Sequence, residues 1–401
     1  ALSDTGESKA LESVIAIAQG RVAEARALVD EALAGSPESA AIRLATSYVS
    51  QAEGRLEDAL DQARHATSLM PENPIAWARR AELELTLARI EEGRQSAAHA
   101  IELSPKTVRA KAMLGFALAL AGQYGDAQAQ LDAAIADNPA DPLAHFALGL
   151  VLVRRGELAP GRRELEIAVL LDPSNVEYRS MLGRAYMAEN RDSHAATQLD
   201  LATRLDPASP TPRFFEAQRL LTDGDVLGAI DAGQQALALN GNRLSLRSPE
   251  LLATDKAARA TTLGSAYQNA GFDSALKRVA SDAVEADSAS GPAHRLMGRA
   301  YDDDNRLESA RVSEQFQSFV FGDMGQPMVM PQELVTAMPV LDGARAMSMH
   351  EAAALFDPKP YRFEATGLIG SQESWGTSVM ASAGNQDLQA SVGHFDYRSD
   401  G

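Results

Sequence analysis

Histidine, carboxylate and hydroxyl side chains are the groups in this chain whose types could do chemistry, and their spacing decides what chemistry that would be. Seven histidines are scattered over 401 residues, and two of them, His65 and His99, stand 34 residues apart. Two imidazoles without a third ligand do not make a zinc site, so packing or solvent-facing roles are expected. Asp302-Asp303-Asp304-Asn305 is acidic but lacks the far Glu that a calcium loop needs, and it reads as a polar turn. Gly370-Ser371 lacks the frame of a nucleophile elbow. No glycine-rich phosphate loop with Lys-Ser/Thr occurs, and no HExxH. The absence of cysteine removes disulfides, thiol catalysis and Cys-based metal sites. No catalytic residue, no metal site and no cofactor is expected, and the chain is read as no enzyme.

A surface is what remains, and the elements that must position it are written in the period. Pro37, Pro71, Pro105, Pro139, Pro173 and Pro207 follow one another at 34 residues. A fixed interval of this size marks a stacked repeat. Ala32, Ala66, Ala100, Ala134, Ala168 and Ala202 keep the same beat, and Ala236 continues it, with Gly241 in place of the proline. Ala25, Ala59, Gly93, Ala127, Gly161, Ala195 and Ala229 form a second small-residue column. These allow two helices to approach closely, and alanine does so at no loss of helix propensity. Gly20, Gly54, Ala88, Gly122, Gly156, Asn190 and Gly224 fall between helical stretches, where a left-handed residue ends a helix cheaply. Each proline closes one helix or starts the next.

These columns resemble the tetratricopeptide repeat (TPR) family. The pattern is carried by Trp77, Leu114-Gly115, Leu118, Ala127, Leu131, Ala134 and Pro139, with Tyr186 and Tyr301 at its aromatic position. Seven units cover residues 1–243. Residues 244–320 hold an insertion around Arg243–Pro249 and two degenerate units. One carries Leu263-Gly264, Tyr267, Gly271 and Ala275; the other carries Met297-Gly298, Tyr301, Asn305 and Ala310, with Glu314 and Gln317 as a polar cap. The expected fold is all-α, a TPR helix-turn-helix solenoid that the family builds as a right-handed superhelix, with a short C-terminal β segment.

The resemblance implies that the first helix of each unit lines a concave groove. The inward positions are then Leu44 and Tyr48; Ala112 and Phe116; Phe146, Leu150 and Arg154; Arg184 and Met187; and Phe214, Gln218 and Leu221. This apolar and aromatic series suggests a groove for a protein or peptide partner, an amphipathic helix or an extended apolar segment, with packing between adjacent helices as the other use of the same side chains. Phe116, Phe146 and Phe214 are the expected anchors. The Lys and Asn set with which some TPR units clamp C-terminal carboxylates is absent.

A net charge of −18 argues against nucleic acid and against an anionic membrane surface. No run of about 20 apolar residues is present, so no transmembrane helix is expected. Ahead of Ala1, either a removed signal peptide or a cut in the chain is expected.

Residues 321–360 read as a Met- and Pro-rich linker with a short helix across 342–356. From Tyr361 the period changes to two: Phe363, Ala365 and Gly367 alternate with Arg362, Glu364 and Thr366, and further runs start at Trp375 and Leu388. Residues 361–401 resemble the opening strands of a TonB-dependent-receptor-like outer-membrane barrel, through Gly367, Gly370-Ser371, Trp375-Gly376-Thr377, Gly384, Phe395, Tyr397 and Asp400-Gly401. Three strands do not close a barrel, so the resemblance implies more strands beyond residue 401. The alternative is a small sheet packed on the solenoid. The expectation is a periplasmic scaffold of a bacterium, organising partners at the outer membrane for secretion or export. The alternative is a soluble cytoplasmic adaptor or complex subunit with no membrane role.

Overall fold

The computed structural model describes residues 6–19, 21–87, 89–239, 249–301, 361–369, 375–384 and 389–398, and isolated positions between 307 and 318. Gly20, Ala88, Gly241, the insertion around 243–248 with the boundary at 243, the acidic run 302–305, the linker 321–360 and Gly370-Ser371 lie outside them. Contacts divide the chain into two units. One is Ala1–Phe215 with Ala238–Leu252, and the other is Glu216–Leu237 with Ala253–Gly401.

The first unit stacks antiparallel helix pairs: α1 (Gly6–Ala18) with α2 (Val22–Gly35), α3 (Ala40–Ala52) with α4 (Leu56–Leu69), α5 (Pro74–Thr86) with α6 (Ile90–Leu103), α7 (Val108–Leu120) with α8 (Tyr124–Asp137), α9 (Pro142–Arg154) with α10 (Leu158–Leu171), and α11 (Val176–Ala188) with α12 (Asp192–Leu205). Helix α13 (Pro210–Asp223) begins in it. Second helices end where the proline column approaches. The next first helix starts on a polar cap: the Asn73 side chain accepts from the Ile75 and Ala76 amides, and Asp141 accepts from the Ala144 amide at 2.8 Å. Between the two helices of a pair the backbone turns left-handed at Gly54, Gly122, Gly156 and Gly224, and at Asn190 with φ 55°.

The seams are filled by the small-residue columns. Ala66, Ala100, Ala134, Ala168 and Ala202 are fully buried, as are Ala59, Ala127 and Ala195. The Leu-Gly pairs show why glycine is needed there. A Cβ on Gly115 would stand 2.5 Å from the Leu131 side chain, and one on Gly149 would stand 2.7 Å from Leu165. Each leucine of the second helix thus lies over a glycine of the first.

Two polar devices repeat along this unit. The first is a clasp found in four of these pairs. Arg43 donates to the Pro37 carbonyl and the Gln62 side chain, Arg179 to the Pro173 carbonyl and Gln198, and Trp77 Nε1 to the Pro71 carbonyl. His145 occupies the same column, with Nε2 on the Pro139 carbonyl at 3.0 Å and Nδ1 on Glu164 at 2.7 Å. The second is a latch from a second helix to the turn of the next pair, 27 residues on: Arg26 to Glu53, Arg162 to Glu189 and Gln128 to Arg155.

The second unit carries α14 (Val226–Ala238), α15 (Pro249–Asn269), α16 (Asp273–Ala286) and α17 (Gly291–Ala300), and has its own core of Leu263, Tyr267, Leu276, Val279 and Leu296. His294 repeats the clasp on the Ser288 carbonyl and on Glu314, so this acidic position of the expected cap is spent on a pair. Residues 361–398 hold β1 (Tyr361–Ile369), β2 (Trp375–Gly384) and β3 (Gln389–Arg398), an antiparallel sheet in the order β1-β2-β3. Its register sets Phe363 opposite Ala381 and Ala381 opposite Val392. Among the described residues no helix is long and apolar enough to cross a membrane.

Candidate functional site

The first-helix face of the first unit gathers aromatic and charged side chains from α3 to α11. Tyr48 on α3 is 38% exposed, and the Arg79 guanidinium of α5 lies 3.9 Å from its ring centroid. Arg79 is buried. Its Nε donates to the Ser47 hydroxyl and its Nη2 to the Ser47 carbonyl, and Nη1 stands 3.3 Å from Glu82. Glu82 also accepts from Arg109 of α7 at 2.7 Å. Burial pulls the Arg79 pKa below its ordinary value, against the pull of Glu82 and Tyr48. Burial acts the same way on Arg109, but Glu82, Tyr48 and Asp141 outweigh it and raise that pKa.

Further along, Phe146 of α9 stacks on Tyr178 of α11 with centroids 4.5 Å apart. Burial pushes the Tyr178 phenol up to about 12, and Arg109 opposes the rise while Asp172, Asp141 and Glu82 support it. The coupling ties Tyr178 to the same cluster as Arg109. The cations of this cluster are held by its own carboxylates and carbonyls. What it offers outward is aromatic: the Tyr48 ring and the half-buried Phe146–Tyr178 pair.

The expected groove residues separate into two sets. Leu44, Tyr48, Phe116, Phe146 and Arg154 keep exposed or half-buried positions. Leu44 rests on Ala40, Ala66 and Ala76, and Arg154 donates from Nε to the Tyr124 hydroxyl at 2.5 Å. Leu150, Arg184, Met187, Phe214 and Gln218 are buried, and so is Ala112, while Leu221 is half-buried. Helix α7 packs on both α5 and α9. Phe214 leans on Phe215 at 5.4 Å, and burial alone brings the Arg184 guanidinium down to about 10. Arg79, Glu82, Arg109 and Tyr178 were missed by column reading. Tyr178 leaves a signal, since it interrupts the column Ile42, Ala76, Ala110 and Ala144 with a large polar ring.

The two spaced histidines are packing groups. His99 meets Trp77 edge-on at 4.6 Å and approaches Glu102, and His65 is half-buried. Among the described residues no three His, Asp or Glu side chains converge as metal ligands would.

A chain of the APC/C hetero-tetramer Cut9–Hcn1 is similar over 75% of this chain and 56% of its own length, with 15% identity and a TM-score of 0.62. This chain thus spans little more than half of that one. A tetratricopeptide repeat protein from Parabacteroides merdae is similar over 60% of this chain and 99% of its own, with 15% identity and a TM-score of 0.46. A thermophilic TPR protein of Thermus thermophilus is similar over 46% and 100%, with 24% identity and a TM-score of 0.42. At 15% identity the likeness to the first of these is one of fold. No curated protein matches this chain. The family model of the tetratricopeptide repeat matches residues 12–67 and 113–160. The two matched stretches, which run from within α1 through most of α4 and from within α7 to the start of α10, thus carry tetratricopeptide repeats, and the intervening and following helix pairs are built on the same columns.

Proposed function

We propose that the first-helix face between Tyr48 and Tyr178 captures an amphipathic helix or an extended apolar segment of a partner protein. Tetratricopeptide repeats imply a protein–protein interaction scaffold. One observation carries the finer reading: the ionic groups of the face are paired internally, so the free surface is aromatic and takes apolar rather than charged anchors. The scaffold works in the periplasm of a bacterium, at the outer membrane, in a secretion or export assembly. Strands of 9, 10 and 10 residues in a plain antiparallel meander support that location, because a membrane-spanning β-strand needs about 9–11 residues. In this reading β1–β3 open a barrel that more chain completes.

Two measurements test it. Phe146→Ala combined with Tyr48→Ala should abolish capture of the partner from detergent extracts of native membranes while the helical circular dichroism stays unchanged. Equal yield from the variant removes the face. Fractionation of the native protein should place it with the outer membrane, and recovery from the cytosol alone removes the location and leaves the face standing.

A further inference from the structure

The aromatic face between Tyr48 and Tyr178 also carries hydrogen-bond donors. Arg109 of α7 donates from Nη2 to Glu82 at 2.7 Å, and among the described residues its Nε and Nη1 have no partner. That side chain is 48% exposed. The half-buried Tyr178 gives its ring to Phe146 and its main-chain amide to the Asn175 side chain, and among the described residues its hydroxyl has no partner. Arg79 differs from both: it is buried and spent on Ser47 and Glu82.

Charge limits what these open donors can meet. The charge of Arg109 is matched by Glu82 and by Asp141, so its remaining nitrogens suit a neutral acceptor better than another carboxylate. The rings around them take apolar side chains. An apolar segment brings one kind of neutral acceptor, its main-chain carbonyls. A helix spends those on its own amides, apart from the last turn. An extended backbone has no internal hydrogen bonds and leaves every carbonyl open.

We propose that the segment captured by this face is extended, with Arg109 and the Tyr178 hydroxyl donating to its main-chain carbonyls while the Tyr48 ring and the Phe146–Tyr178 pair take its apolar side chains. This rests on the face acting as a capture surface, and it excludes the helical occupant. Successive side chains of an extended segment point to opposite sides, so the residues that reach the rings recur at every second position.

Short random peptides displayed on phage and selected against the full chain supply the probe. Enriched sequences should carry apolar residues at alternate positions. One of them, made with an amidated C-terminus and a fluorophore, should bind in an anisotropy titration. Tyr178→Phe and Arg109→Lys should each raise its Kd about tenfold, the size of one lost hydrogen bond, with unchanged helical circular dichroism. Transferred NOEs on the bound peptide should show the strong sequential Hα–amide contacts of extended backbone. An unchanged Kd in either variant, the amide–amide contacts of a bound helix, or binding that needs a free terminal carboxylate overturns the proposal. If Tyr48→Ala with Phe146→Ala still abolishes binding in those cases, the capture surface stands without it. No enriched peptide, or binding that survives Tyr48→Ala with Phe146→Ala, removes the capture surface and this proposal together.

Discussion

The seams between helices and the face of the first helices come from the same 34-residue unit and follow opposite rules. At the seams, three successive pairs repeat one solution: a buried alanine, and a leucine laid over a glycine, as Leu131 lies over Gly115, Leu165 over Gly149 and Leu199 over Gly183. On the face, no two pairs agree. The position that is Tyr48 in α3 is Glu82 in α5, Phe116 in α7, Leu150 in α9 and Arg184 in α11. Packing at the seam is set by a neighbour of fixed shape, so the sequence there is uniform. The face meets a different neighbour in each pair, and at Arg79–Glu82–Arg109 it solves a problem of charge that spans two of them.

The comparison breaks most sharply at Glu82. Its removal as Glu82→Ala leaves the buried Arg79 without its carboxylate and should cost about 3 kcal/mol in urea unfolding. A loss below about 0.5 kcal/mol would make the cluster ornamental to stability. Next comes the seam. A Cβ on Gly161 would lie 2.7 Å from the Gly149 carbonyl oxygen and 2.8 Å from the Val153 amide nitrogen, both backbone atoms. Gly161→Ala should therefore destabilise by about 2 kcal/mol despite its better helix propensity. Gly125 stands in a helix of the neighbouring pair with nothing within 4 Å of a Cβ, so Gly125→Ala should gain about 0.5–1 kcal/mol. Equal signs for the two glycines would refute the seam account.

The smallest effect concerns the face again. The folded-state phenol of Tyr178 is raised to about 12 from its ordinary 10.0, chiefly by burial. An unfolded chain gives up this proton first as pH climbs. Stability from the group is complete below pH 10 and is lost as pH rises through about 12. Tyr178→Phe should show a shallower alkaline decline in Tm than the parent. An identical decline would place that phenol in water.

Most of the helical scaffold was legible because its constraints recur. The columns of Ala66, Ala100 and Ala134 mark the seams, and Gly54, Gly122, Gly156 and Asn190 mark the left-handed turns, the last showing that the conformation and not the residue is what repeats. The face was half legible. Counting sets Tyr48 and Phe146 at positions that are exposed or half-buried, and Leu150, Met187 and Phe214 at buried ones, where packing between adjacent helices is the other expected use of the same side chains. Burial of a first-helix side chain depends on the size of residues one pair away, and a column read alone holds no such information. The role of His145 was illegible for a similar reason: it shares its column with Arg43, Trp77 and Arg179, and only the atoms show that these different side chains each reach the carbonyl of the proline six residues back, while Lys111 of the same column donates to Asp137.

The latches from Arg26 to Glu53 and from Arg162 to Glu189 each span a single boundary and never skip a pair. Under mechanical load, latches of this kind tie one pair only to the next. Drawn from one end, the stack should give way pair by pair, each release paying out one period of 34 residues, or about 115 Å of extended chain. A force trace would then be an even sawtooth, with each tooth a count of one helix pair.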